Sequence, residues 1–262
     1  MKSKFGARWI KVALVATATL GLAAVSLPAS YAADNAEFYV VQGLPGKNLE
    51  VAVDGKTVAK NVKTAAVAGP FKIKAGSRKV TFSDGGDVLV DRMFSVKAGS
   101  SWDAVVHLPA STGDDPVVTV FRNDLATVPK GKASLVVAHT ASVPPADIRV
   151  DGKVLFENIA NGESLKLTVP VGTYEVAIVP TGEKKPVILG PVALTVKGGA
   201  VNRVYAVGDP EKKTMNVAVH VLPTGSSGSG KPSKVNTGTG GQATGQGSDL
   251  TPLSGELVKL TR

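Results

Sequence analysis

The chain has 262 residues, no cysteine and a formal net charge of +9. That length suits two ordinary domains, and a hydrophobic content of 43 % marks a globular chain rather than a disordered one. Aromatics at 5 % leave Val, Ala, Leu and Ile to build the core, and the missing cysteines exclude disulfides, thiol catalysis and cysteine-ligated metal.

In chain order, the first element is a targeting segment over residues 1–32. Lys2, Lys4, Arg8 and Lys11 form a basic start, an uncharged apolar run follows from Val12 to Val25, and Ser30 and Ala32 place small residues before a cut ahead of Ala33. This is the pattern of a secretory signal peptide, and the apolar run is short for a membrane span, which needs ~20 residues. Its removal takes away four of the +9 charges and leaves +5 on the mature chain. So mild an excess suits solubility, or weak attraction to anionic wall polymers or a membrane surface. No basic stripe with interleaved aromatics is present, so nucleic acid is not an expected partner. No later apolar run approaches membrane length, so no transmembrane segment is expected in the mature chain.

A first repeat is expected over residues 36–124. Phe38 to Val41 reads as a strand. Leu49, Val51 and Val53 then alternate with Glu50, Ala52 and Asp54, and a period of two places the apolar set on one face of a strand. Asp54-Gly55 follows, a pair suited to a two-residue hairpin turn whose central positions need positive φ. Lys56 to Val62 forms the return strand. Phe71 and Ile73 alternate with lysines, Val80 and Phe82 lead into the hairpin signal Ser83-Asp84-Gly85-Gly86-Asp87, and Val88–Val96, Trp102–Leu108 and Val117–Phe121 complete the set.

Residues 125–132 read as a linker, and a second repeat follows over 133–223. Ala146, Ile148 and Val150 alternate with Asp147, Arg149 and Asp151, and Val53-Asp54-Gly55-Lys56 returns as Val150-Asp151-Gly152-Lys153. The match continues: Asn61-Val62 with Asn158-Ile159, Ala75-Gly76 with Val171-Gly172, and Val96-Lys97 with Val196-Lys197. One module therefore occurs twice. Further strands are expected at Ser134–Ala138, Leu165–Val169, Tyr174–Val179, Val192–Val196, Val201–Val207 and Met215–Leu222. Turns every 8 to 12 residues or so, with no competing helical pattern, give an all-β class of two tandem antiparallel sandwiches. Residues 224–262 begin with a Gly/Ser/Thr-rich stretch that buries too little to offset its ordering entropy, and the expectation there is a disordered tail.

From Leu135 to Gly152 the chain reads Leu-Val-Val-Ala-His-Thr-Ala-Ser-Val-Pro-Pro-Ala-Asp-Ile-Arg-Val-Asp-Gly. This resembles the opening of the DUF4397 family, a domain of unknown function in exported bacterial proteins. That family's first strand ends in a His, followed by a small residue, Ser and Pro, then a strand with an Asp and a closing Asp-Gly. His139, Ser142, Pro144, Asp147, Asp151 and Gly152 fit that order, and Gly172-Thr173-Tyr174 resembles its Gly-Thr-Tyr strand opening. In the first repeat Gln42 stands at the position of His139, and Leu44-Pro45-Gly46 replaces the Ser-Pro segment; Asp54 and Gly55 are retained. The resemblance covers both repeats, more fully the second. It implies an Ig-like or transthyretin-like sandwich and supplies no activity.

Catalytic chemistry finds little support. The three histidines, His107, His139 and His220, form no helical metal motif. His107 and His220 lie in Val-rich strands, as core or strand-face imidazoles. His139 is expected to tie down a loop through backbone bonds, with Asp147 as an acceptor for its other nitrogen. No nucleophile elbow and no Ser-His-Asp spacing is present. The phosphate-loop likeness at Gly225–Pro232 has Pro232 where a hydroxyl is needed, and Leu222-Pro223-Thr224-Gly225 lacks the variable residue of a wall-sorting signal. The reading is a secreted or cell-envelope-associated, non-enzymatic binding or structural protein, with a cell-wall polymer or surface protein as partner and with no cofactor, catalytic residue or metal site. Two rivals stay open: a hydrolase resting on His139 beside Asp147, and a calcium-stabilised adhesion module resting on Asp84, Asp87 and Asp91.

Overall fold

The two Asp-Gly pairs both make tight turns. Asp54 and Gly55 have φ of 49° and 78°, and Asp151 and Gly152 have φ of 49° and 77°. In each case a strand is folded straight back on the next, with Val53 opposite Lys56 and Val150 opposite Lys153. Positive φ at both central residues is the two-residue turn that matches the twist of its flanking strands.

The structure, a computed structural model, describes residues 34–111, 113, 115–224 and 258–260. The expected signal peptide lies outside them. Among the described residues every regular element is a strand, and no helix is long and apolar enough to cross a membrane.

In the first sandwich, β1 (Asn35–Gln42), β4 (Val67–Lys74), β7 (Ser101–His107) and β8 (Val117–Arg122) form a sheet in the order β4-β1-β7-β8. Strands β2 (Leu49–Val53), β3 (Lys56–Val62), β5 (Gly76–Asp84) and β6 (Asp87–Val96) form its partner, in the order β3-β2-β5-β6. Phe38, Val40, Leu49, Val51, Phe82 and Val106 fill the space between them, and the Phe38 and Phe94 rings stack at 5.3 Å.

The second sandwich repeats the plan. Strands β9 (Lys132–Ala141), β12 (Ser164–Pro170), β15 (Ala200–Gly208) and β16 (Asn216–Pro223) lie in the order β16-β15-β9-β12. They face β10 (Ala146–Val150), β11 (Lys153–Ile159), β13 (Gly172–Pro180) and β14 (Leu189–Val196), in the order β11-β10-β13-β14. Leu135, Val137, Phe156, Leu165 and Val204 make this core.

The structure amends the expectations at four places. Each inner sheet contains one parallel pair, β1 with β7 and β9 with β15, so the sheets are not purely antiparallel. A parallel pair needs a long crossover, and here the intervening outer-sheet strands supply it. Strand β11 was not named among the strands of the second repeat, although it is the counterpart of the return strand Lys56–Val62. Asp147 was expected on the charged face of its strand, opposite the apolar set, and is instead 3 % exposed, since the turn at Gly182 covers it. Finally, Val258–Leu260 were expected to lie in the disordered tail, yet they form β17, paired antiparallel with β12 from Ser164 to Lys166. An edge strand with unpaired backbone groups is a ready template for such an addition. Residues 225–257 of the tail lie outside the described residues.

The described strands belong to one compact unit, and the inner sheets of the two sandwiches pack against each other. Val41, Val105 and Phe121 of the first meet Ala138, Tyr205, Val207 and Ala218 of the second. Inner strands are therefore covered on both faces, and every residue of β15 is buried.

Candidate functional site

The positions marked in the sequence fall in two places: the loops that follow β1 and β9, and the seam between the inner sheets.

His139 is the third residue from the end of β9 and is 4 % exposed. Its Nε2 bonds the Pro144 carbonyl at 3.2 Å, and its Nδ1 accepts from the Ala141 amide at 3.4 Å. A carbonyl only accepts, so the proton sits on Nε2 and both ring nitrogens are engaged. Burial lowers its pKa, against the raising effect of the Pro144 bond and Glu163. A neutral imidazole closed in this way clasps the loop from Ala141 to Pro144.

Gln42 does the same work at the same place in the first repeat. It is fully buried, its Nε2 donates to the carbonyls of Leu44 and Lys47 at 2.9 Å each, and its Oε1 accepts from the Leu44 amide at 2.6 Å. A primary amide has donors and an acceptor on one planar group, as a neutral imidazole does, so either side chain can clasp a turning backbone.

Asp147 does not reach His139. Its Oδ1 accepts from the Asn158 amide at 2.8 Å and its Oδ2 from the Gly182 amide at 2.9 Å, so it ties β11 and the turn after β13 to β10. The pairing that the hydrolase reading needs is absent. Asp151 accepts from the Glu175 amide, and Asp54 from the Lys79 amide and the Arg78 guanidinium. Those carboxylates lock the twin turns onto the neighbouring strand. Ser142 is buried, with its amide bonded to the Gly208 carbonyl and its hydroxyl without a hydrogen-bond partner.

Two of the three proposed calcium carboxylates, Asp84 and Asp91, are also occupied. Asp84 pairs with Lys47 at 3.0 Å and accepts from the Asn48 amide, and Asp91 pairs with Lys79. Among the described residues no three His, Asp or Glu side chains converge as a metal would require. A shallow groove of about 160 Å³ lies between Leu44, Pro45, Leu89, Leu108 and Pro116, rimmed by Lys47 and Lys212. It is too small to enclose a ligand of the size that pockets of ~300–1,000 Å³ hold.

The polar seam between the inner sheets was not legible beforehand, apart from His107 and His220 as core or strand-face imidazoles. Asp103 of β7 is fully buried there. Its Oδ2 accepts from the Tyr205 hydroxyl at 2.5 Å and bonds His220 Nδ1 at 2.9 Å, and its Oδ1 accepts from Asn123 Nδ2 at 2.7 Å. Arg203 lies behind Tyr205, donates to the Arg122 carbonyl and sits 5.7 Å from the centre of the Phe121 ring. Tyr39 packs on the His220 ring at 4.3 Å. Burial alone would raise the Asp103 carboxyl, but His220, Arg203 and Asn123 outweigh it and hold the group below its ordinary value. Burial raises the Tyr205 phenol well above 10. At the end of the same seam, His107 bonds the Leu108 carbonyl and the Thr119 hydroxyl, and burial pushes its pKa down to about 4. Asn161 bridges the repeats, donating to the carbonyls of Leu108 and Ala141. The signal for this seam was a pair of near-continuous apolar runs with single polar residues set in them, the mark of strands buried on both faces.

Residues 36–146 match the family described as a domain of unknown function, DUF4397. The match covers the first repeat, the connection and β9, so it falls mainly on the copy in which Gln42 replaces the histidine. No curated protein matches the chain.

Proposed function

We propose that this chain, whose residues 36–146 match the DUF4397 family, is an exported, non-enzymatic scaffold of the cell envelope that holds or spaces an anionic wall polymer. The observation that carries the reading is the use of the motif residues. His139, Gln42, Asp147, Asp151 and Asp54 all bond backbone of their own repeat. A catalytic group needs a free lone pair or proton at an open cleft, and the histidine of this set has both nitrogens engaged.

Export rests on the basic start, apolar run and small residues of positions 1–32. Attraction to an anionic polymer rests on the +5 balance and on the exposed Lys56, Lys63, Lys72, Lys74 and Lys97. A duplicated module adds avidity when the polymer repeats at a matching spacing.

The test is retention of the purified mature chain on isolated cell walls, with and without their anionic polymers, across a salt series. Retention that needs the anionic polymer and disappears by roughly 0.5 M salt, where the screening length is a few ångströms, supports the reading. Absence of retention at low salt overturns its binding half, and recovery of the chain in the cytoplasm with residues 1–32 intact overturns export.

A further inference from the structure

The strand registers allow the two halves of the buried seam to be compared position by position. In the first repeat Asp103 lies between Tyr39 of β1 and Phe121 of β8. In the second, Arg203 lies between Val136 of β9 and His220 of β16. Since β1 corresponds to β9, β7 to β15 and β8 to β16, Asp103 and Arg203 occupy the same site of the duplicated module, and so do Phe121 and His220. One copy carries an acid there, and the other carries a base with an imidazole beside it.

We infer that the Asp103–Arg203 charge opposition is a pairing code: it directs the inner face of the first repeat onto that of the second and bars either face from its own kind on another chain. Around these polar groups both faces are apolar, with Val41 and Val105 on one and Ala138 and Val207 on the other. Shape and hydrophobicity alone would not separate an intramolecular closure from a dimer of like repeats. Charge does separate them. Two first-repeat faces packed together would bury two carboxylates with no cation between them, and two second-repeat faces would bury two guanidinium groups. Burying an unpaired charge is strongly unfavourable, and such repulsion is how a specific interface rejects the wrong partner. Asp124 and Lys166 repeat the polarity at the rim, with acid from the first repeat and base from the second, 2.6 Å apart. Tyr205 completes the closure by donating to Asp103 while Arg203 reaches its hydroxyl.

The partner that the first-repeat face fits is therefore a sheet of the same module carrying a base at the position of Arg203. Three full-chain variants test this: Asp103→Arg, Arg203→Asp and the double exchange. Urea midpoint and light scattering after size exclusion are the readouts. Each single variant should lose midpoint, and the double exchange should recover most of that loss, since it restores opposite charges in reversed order. Each single variant alone should stay free of dimers, whereas an equimolar mixture of the two should form one, closing acid face on basic face between chains. A double exchange no better than the sum of the singles would overturn the code. So would a dimer of Asp103→Arg alone, or a mixture that stays monomeric while both singles remain folded by circular dichroism. Should the singles fail to fold, the double exchange decides by itself, folding if the code holds and failing if it does not.

Discussion

Truncation of the buried amide at Gln42 tests whether the family-motif position is a clasp. Gln42→Ala removes three hydrogen bonds to backbone and leaves the Leu44 amide buried without its acceptor. The Leu44 carbonyl keeps the Thr64 hydroxyl, so it is not orphaned. Three bonds at a net ~1 kcal/mol each, with some relaxation of the loop, give a loss of about 3 kcal/mol. That is a large share of the ~5–15 kcal/mol that holds a typical domain. Trp102, the sole tryptophan beyond Trp9 in the chain, sits on β7 directly beside β1, so its fluorescence reports the affected sandwich. With an m-value of ~2–3 kcal/mol/M in urea, the midpoint should fall by about 1–1.5 M. Gln42→His, which writes the second repeat's solution into the first, should recover more than half of that. A midpoint within about 0.3 M of the parent for Gln42→Ala, well under the loss expected from three bonds, would show that the loop is held by other means.

Three further outcomes follow from the same contacts. The folded-state pKa of Asp103 lies below its ordinary 3.8, so its contribution is complete above the unfolded value and is lost as pH falls through the folded one. Urea midpoints taken from about pH 7 to 2 should therefore drop more steeply below about pH 4 for the parent than for Asp103→Asn, and parallel curves would contradict this. Gly152→Val places a β-branched side chain at φ of 77° and should cost about 1–3 kcal/mol in thermal unfolding, whatever the open space around it. Excess chelator should leave the melting temperature unchanged, because Asp84 and Asp91 face lysines; a fall of several degrees would restore the calcium-stabilised rival.

The sequence announced what a period of two and a turn residue can announce. Leu49, Val51 and Val53 point inward as their alternation requires, and both Asp-Gly pairs adopt the positive φ that only such residues take readily. It did not announce the packing of sandwich on sandwich. Alternation tells which face of a strand is greasier, but β9 and β15 are covered on both faces, so Leu135 to Ala141 and Val201 to Gly208 show no clean alternation and carry buried polar residues such as His139 and Asn202. Asp147 was misplaced because a carboxylate at an outward position can be buried by a loop arriving from elsewhere, here at Gly182. Long-range closures of this kind leave no trace in a local pattern.

The placement of the aromatics also bears on the proposed binding of a wall polymer. Neutral polysaccharides are commonly gripped by stacking sugar faces on open aromatic rings, because a ring offers flat, rigid apolar area at little entropic cost. No aromatic side chain among the described residues is exposed. Phe38, Phe82 and Phe156 fill the cores, Tyr39, Phe121 and Tyr205 fill the seam, and Trp102 and Tyr174 are half-buried against their own sandwiches. With rings committed to packing, the outward faces offer hydroxyls, backbone edges and lysines. Contacts of that kind are worth little to an uncharged chain in water but add along a polyanion, and they weaken as salt screens them. If the proposed polymer binding holds, phosphate- or carboxylate-bearing polymers suit the chain better than neutral glycans, because the aromatics among the described residues are used to pack four stacked sheets that no disulfide holds.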